Sequence, residues 1–275
     1  MTATVLVLQH PDIARCDLSA LPSADLVSAT VARIKVDAGF SLSEQAAAVL
    51  AAQQIDYAIL PDRNFADLGL IVSDMDSTLI TIECIDEIAA GVGLKDKVAE
   101  ITERSMRGEM DFAQSLTERV ALLEGLDEGV LQSVYDNVLK LSPGAEYLVA
   151  ECKRHDVKFL LVSGGFTFFT DRLQQQLGID YAYANVLEIV DGKLTGKLKG
   201  RMIDAQAKAD LLRQHREALG LTPEQVLAVG DGANDIPMLQ AAGIGVAYHA
   251  KPKTEQHADV AVRFNGLEAL RGLFA

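Results

Sequence analysis

Five short apolar runs, each ending in glycine, a carboxylate or another polar break, constrain the fold of this chain more than any other feature. They are residues 68–73 (LGLIVS), 157–162 (VKFLLV), 226–229 (VLAV), 244–247 (IGVA) and 260–262 (VAV). None shows sustained polar–apolar alternation. A strand without alternation has both faces covered, as in a parallel sheet lying between helices. Helical stretches at 145–155 and 205–219 separate the runs. Strands alternating with helices predict an α/β fold with a doubly wound parallel sheet. In such sheets ligands sit outside the carboxyl ends of the strands.

Two segments interrupt this rhythm. Residues 83–141 are too long for one crossover and carry helical periodicity, as in FAQSLTERVALL at 112–123. They are read as an inserted helical cap. Residues 181–198 carry Asp191-Gly192 between alternating residues, a hairpin signal. Ahead of the sheet, residues 1–66 read as a small α/β unit, regulatory or structural. It has a strand at 3–8, a helix at 41–52 opened by Ser43 and Glu44, and a strand at 55–60. The expected division is therefore 1–66, a core of 67–82 with 142–275, and the 83–141 cap.

The chain has 275 residues, 49% of them hydrophobic, enough for a sizeable core without disulfides. Its three cysteines (Cys16, Cys84, Cys152) are an odd count without metal-type spacing, so free thiols in a reducing compartment are expected. The charge is 25 − 39 = −14, which disfavours nucleic acid and anionic membrane surfaces. No apolar stretch reaches the roughly 18 residues of a membrane span. A cytoplasmic protein is the expectation.

Chemistry concentrates at the ends of the predicted strands. Asp74-Met75-Asp76-Ser77-Thr78 places two carboxylates where a buried strand ends, an arrangement that is costly unless a cation or ligand compensates. Mg²⁺ suits such oxygen donors. Gly230-Asp231-Gly232-Ala233-Asn234-Asp235 repeats the pattern after 226–229, with glycines allowing a tight backbone. Ser163-Gly164-Gly165 follows 157–162 as a strand-to-helix turn, where a hydroxyl and glycine amides make a small anion nest. Lys208, inside 205–219, reads alone as a solvated helix lysine. If the strands share one sheet, the three loops converge. Metal-binding carboxylates, anion donors and one ammonium suit phosphoryl transfer.

In this order, D-x-D-S-T, S-G-G, a lone lysine and G-D-G-x-N-D resemble the haloacid dehalogenase superfamily of phosphohydrolases. The likeness covers roughly residues 70–265. It is closest to the branch that acts on phosphoserine, through 74–87 (DMDSTLITIECIDE), 110–123 (MDFAQSLTERVALL), 163–166 (SGGF) and 230–235 (GDGAND). The resemblance implies that Asp74 is a nucleophile forming an aspartyl-phosphate, and that Asp76 is acid and then base. It implies one Mg²⁺ on the carboxylates of Asp74 and Asp231 and the backbone carbonyl of Asp76. Ser163, Gly164, Lys208 and Asn234 would serve the phosphate. In the cap, Glu83 would take an ammonium and Arg119 a carboxylate, with Met106 and Phe112 closing the lid. The implied partner is the small molecule phosphoserine, and a homodimer stays open. Residues 1–66 show no recognisable ligand loop.

Overall fold

The computed structural model describes every residue except 1, 2, 20, 23, 24, 27, 107 and 108; the side chains of Asp25, Leu26 and Met106 also fall outside the description. In chain order the strands are β1 (Thr4–Gln9), β2 (Asp25–Leu26), β3 (Val31–Val36), β4 (Asp56–Pro61), β5 (Leu70–Ser73), β6 (Lys158–Phe166), β7 (Tyr181–Val190), β8 (Lys193–Lys199), β9 (Val226–Gly230), β10 (Ile244–Tyr248) and β11 (Val260–Val262). The helices are α1 (Glu44–Ala52), α2 (Cys84–Gly91), α3 (Lys95–Met106), α4 (Phe112–Ala121), α5 (Gly129–Asn137), α6 (Ala145–Arg154), α7 (Thr167–Leu177), α8 (Ala205–Ala218), α9 (Ile236–Ala241), α10 (Pro252–Glu255) and α11 (Glu268–Gly272).

The larger sheet has seven strands in the order β11-β10-β9-β5-β6-β7-β8, parallel except for the β7–β8 hairpin. Its central strands are mostly apolar and buried because each face has its own core. Leu70, Val72, Leu160, Val162, Val226 and Ala228 pack with Leu212 of α8 and Met238 of α9. Ile71, Phe159, Leu161, Leu227 and Val229 face Leu148 of α6 and Leu270 of α11 on the other side. Each such burial contributes about 1.5–3 kcal/mol. β5 lies between β6 and β9. The chain runs from β5 toward β6 and β7, then returns to β9 on the opposite side. That reversal opens a crevice at the carboxyl end of β5.

Helices α2 to α5 lie between β5 and β6 in the chain. The excursion leaves and returns side by side: Thr81 N–H donates to Lys140 O (2.9 Å) and Ser142 N–H to Leu79 O (3.0 Å). α4 starts where the sequence predicts, because Asp111 caps it. Its side chain accepts from Gln114 N–H, and Gln114 Oε1 accepts from Asp111 N–H. The hairpin turn is at Asp191 (φ 49°) and Gly192 (φ 75°), as read from the sequence. The hairpin also braces the cap: Gly125 N–H donates to Leu194 O (2.8 Å) and Leu194 N–H to Leu126 O (2.9 Å).

The N-terminal strands form an antiparallel sheet, β2-β3-β1-β4. Its strand β3 was not foreseen. The run VARIKV carries Arg33 and Lys35, which mask a strand. Yet Arg33 is buried, with its guanidinium 2.7 Å from Asp62 Oδ1 and donating to Leu273 O. A second difference concerns Ser163-Gly164-Gly165. β6 continues through Phe166, with a register shift against β7 between Val162 and Phe166, so the motif sits in an irregular strand end rather than a turn.

Candidate active site

Asp74 is the first residue beyond β5 and is 5% exposed. Its Oδ1 accepts two hydrogen bonds of 2.7 Å, from Met75 N–H and from the Lys208 ammonium. Lys208 comes from α8, whose start is set by Asp204 accepting from Ala207 N–H. Lys208 shares its helix face with Leu212 and His215, the buried side of α8. It is 1% exposed, and it also donates to Asp235 Oδ1 at 2.7 Å. Burial alone would lower the Lys208 pKa, but Asp235 and Asp74 outweigh it and hold the group above its usual value. Asp74 is pushed well up, first by burial and then by the charge of Asp235, against the pull of Lys208. Asp235 Oδ2 accepts from Gly232 N–H (3.0 Å). Glycine is needed at 230, since a Cβ there would meet Asp235 Cγ at 2.5 Å.

Beyond Asp74 the backbone turns sharply. Asp76 is extended and Ser77 is left-handed (φ 54°), so Ser77 N–H reaches back to Ile82 O (3.1 Å). Ser77 Oγ donates to Glu83 Oε1 at 2.7 Å. Asp76 Oδ1 is buried and has no hydrogen-bond partner among the described residues. Its pKa rises to about 7, through burial and then the nearby Glu83 charge, opposed by hydrogen bonds from the Cys84 thiol and amide. Opposite lies Ser163, whose Oγ accepts from Gly165 N–H (2.8 Å), so that amide is already engaged. A Cβ on Gly165 would sit 2.9 Å from Asp76 Oδ2.

Asp74, Asp231 and Asp235 bring carboxylate oxygens within 4.8 Å of one another, a group able to hold a metal ion. Asp235 already has both oxygens committed, to Lys208 and to Gly232 N–H. Asp231 accepts from Thr78 Oγ1 (3.1 Å) through Oδ1, leaving its other oxygen for a cation. Asp231 is raised to about 7 by burial, then by Asp235 and Glu83. Carboxylates this crowded fit a divalent cation.

Above these groups lies a cavity of about 680 Å³, walled on its far side by the cap. Asp74, Asp76, Ser163, Gly164, Asp231 and Asn234 line it from the sheet side, and Glu83, Phe112 and Arg119 from the cap side. A methyl group at Gly164 would lie 3.0 Å from Phe112 Cζ, so the cap touches the strand end there. Arg119 is lowered by burial, while Asp86, Glu83 and Asp76 hold it up. Glu83 is raised by partial desolvation despite facing the cavity. The structure thus gathers the residues singled out from the sequence, with two qualifications. Lys208 reaches Asp74 but sits behind it and does not line the cavity. The side chain of Met106 lies outside the described residues.

Sequence reading missed several neighbours. Asn185 of β7 donates to Gly164 O (2.8 Å) and accepts from Ile203 N–H (2.8 Å), tying the end of β6 to the approach to α8. Asp86, Lys251, Lys253 and Thr254 also line the cavity. Of these, only Asp86 lay in a stretch that carried the resemblance, 74–87.

Comparison with known proteins agrees with this geometry. The family pattern of haloacid dehalogenase-like hydrolases matches residues 68–243. The phosphoserine phosphatase of Polaromonas sp. strain JS666 is 51% identical over 215 residues, 76% of this chain and 91% of that protein. A crystal structure of the probable phosphoserine phosphatase of Vibrio cholerae, unliganded, superposes with a TM-score of 0.84 at 40% identity, over 98% of this chain and 86% of that one. A substrate-bound phosphoserine phosphatase complex does so at 0.71 and 36% identity, over 76% and 99%. With its acidic floor, buried lysine and capped cavity, the chain belongs to the haloacid dehalogenase-like hydrolases, among the phosphatases of that family.

Proposed function

We propose that this chain hydrolyses O-phospho-L-serine to L-serine and phosphate, the closing step of serine biosynthesis, through an aspartyl-phosphate on Asp74. The observation that carries the reading is the pinning of Asp74 Oδ1 by Lys208 and Met75 N–H on the floor of the cavity. With Oδ1 doubly held, Oδ2 is the oxygen free to attack phosphorus. As it bonds, the phosphorus–oxygen bond to serine breaks, and Asp76 gives its proton to the leaving alkoxide. Water then attacks phosphorus, Asp76 takes its proton, and the bond to Asp74 breaks to release phosphate. A carboxyl poised near 7 is matched to both proton transfers.

The Asp74 and Asp231 carboxylates, with the Asp76 backbone carbonyl, would hold one Mg²⁺, which supplies charge screening between carboxylate and phosphate when bound. Lys208 adds fixed positive charge from behind Asp74. Ser163, the Gly164 amide and Asn234 meet the phosphate oxygens. Glu83 pairs with the substrate ammonium, and Arg119 takes its carboxylate in a bidentate fork. Phe112, with Met106, excludes water.

The same reading divides the chain into residues 1–66, a core of 67–82 with 142–275, and the cap 83–141. Hydrogen bonds that Asp56 accepts from the core backbone support a structural part for 1–66. No helix among the described residues is long and apolar enough to cross a membrane. We place the enzyme in the cytoplasm, supported by three unpaired cysteines. A homodimer belongs to the reading too, supported by exposed Val186 and Val190 on β7, with sedimentation as its test.

The test is phosphate release across a panel of phosphomonoesters, with and without Mg²⁺. Phosphoserine should lead, only with the metal. Asp74→Asn should release none while keeping the native circular dichroism. Normal turnover by that variant would remove the nucleophile.

A further inference from the structure

We propose that Lys251, Lys253 and Thr254 form a second anion-holding subsite at the mouth of the cavity. It receives the phosphate dianion of the incoming phosphomonoester before the ester reaches Asp74, and it holds inorganic phosphate on the way out. The proposal rests on the reading of the cavity as a phosphomonoesterase site and adds a step to it.

The need arises from charge. The protein carries −14 overall, and five carboxylates line this one cavity: Asp74, Asp76, Glu83, Asp86 and Asp231. A phosphomonoester carries about −1.5 to −2 at neutral pH. Lys208 cannot draw it in, because that ammonium is buried behind Asp74 and bonded to two aspartates. Arg119 stands among Asp86, Glu83 and Asp76. Among the described residues, Lys251 and Lys253 are the other cations on the cavity wall; both are exposed, and neither is within ion-pairing distance of a described carboxylate. A local positive patch in a negative field raises the encounter rate of an anion and depends on ionic strength.

Thr254 is the independent observation. It lines the same cavity, is 1% exposed, and its Oγ1 is buried with no partner among the described residues. An unsatisfied buried hydroxyl costs about 1–3 kcal/mol, which a ligand oxygen would recover once a side-chain rotation turns the hydroxyl toward the cavity. The segment is held in shape before any ligand arrives. Thr254 N–H donates to Lys251 O (2.9 Å), His257 Nδ1 bonds Lys253 O (2.8 Å), and Arg263 grips Glu255 through Nε (2.9 Å) and Nη2 (2.8 Å). α10 packs against Ala233–Asp235, the turn that carries Asn234. The subsite therefore adjoins the phosphate site proposed above.

The test uses the full chain and inorganic phosphate as probe, by calorimetry at low and high salt, beside kcat and KM for phosphoserine. The double variant Lys251→Ala, Lys253→Ala should weaken phosphate binding about tenfold, raise KM by a similar factor, change kcat less than about twofold and flatten the salt dependence of kcat/KM. Lys251→Arg with Lys253→Arg should restore all of these. Thr254→Val should weaken phosphate about threefold to tenfold with the salt dependence and Tm of the parent. Parent-like phosphate affinity, KM and salt slope in the alanine variant would overturn the subsite while leaving the catalytic reading intact. Loss of phosphate binding by that variant, in a chain whose parent turns over no phosphomonoester, would support the subsite and remove the catalytic reading.

Discussion

Lys208 Nζ and Asp74 Oδ1 lie 2.7 Å apart at side-chain exposures of 1% and 7%, with Asp235 Oδ1 completing a buried triad at the same distance from the lysine. One ammonium stands between two carboxylates, so removing it leaves charge uncompensated in a low-dielectric site. Lys208→Met should therefore cost on the order of 3–5 kcal/mol in denaturant unfolding. It should also lower kcat by about a hundredfold or more. A divalent cation should return part of the lost stability. Unchanged unfolding and kcat would mean the triad is idle.

Arg119 lines the cavity from the cap side, beside Glu83 and Asp86. Arg119→Ala should lower kcat/KM for phosphoserine about a thousandfold, because the proposed carboxylate fork is lost. A small aryl phosphate, which lacks that carboxylate, should lose less than about tenfold. Equal losses would argue against carboxylate recognition.

Asp76 and Asp231 both have folded pKa values near 7, above the roughly 3.9 of a free aspartate. The folded state therefore binds more protons than the unfolded chain between about pH 4 and 7. Their contribution is fully present below pH 4, falls as pH rises toward 7, and is flat above. In chelator-treated protein, Tm should drop by several degrees across this window relative to Asp231→Asn, which cannot ionise. A divalent cation should abolish the drop. Parallel curves for the two proteins would contradict the assignment.

Asp56, 3% exposed in β4, accepts from the backbone N–H groups of Arg263, Phe264 and Asn265 and from Asn265 Nδ2 (2.8–3.1 Å). Asp56→Ala leaves those donors orphaned, at about 2–4 kcal/mol. Stability should fall in urea, while kcat in the folded baseline stays within about twofold of the parent. A silent substitution would mean that the N-terminal sheet is not fastened there.

Much of this was readable in the chain because the physics is local. A strand covered on both faces must be apolar at every position, so β5, β9 and β10 announce a parallel sheet. Asp191-Gly192 accepts positive φ at both turn positions, so the hairpin needs no tertiary help. Asp111 and Gln114 cap α4 within four consecutive residues. The spacing of Asp74, Asp76, Asp231 and Asp235 at strand ends marks chemistry, because carboxylates at a buried edge need a partner.

Other features could not be read, because their meaning depends on what folds against them. Lys208 looks like any solvated helix lysine until two aspartates from the loops after β5 and β9 surround it. Arg33 hides β3 until Asp62 neutralises it inside. Ser163-Gly164-Gly165 reads as a turn, yet Asn185 helps hold it as the irregular end of a strand. Thr254 is an ordinary threonine until burial leaves its hydroxyl with no partner among the described residues. Composition and periodicity specify which faces are dry; only the packed structure decides which polar groups meet there, since burial and pairing are properties of distances between remote parts of the chain.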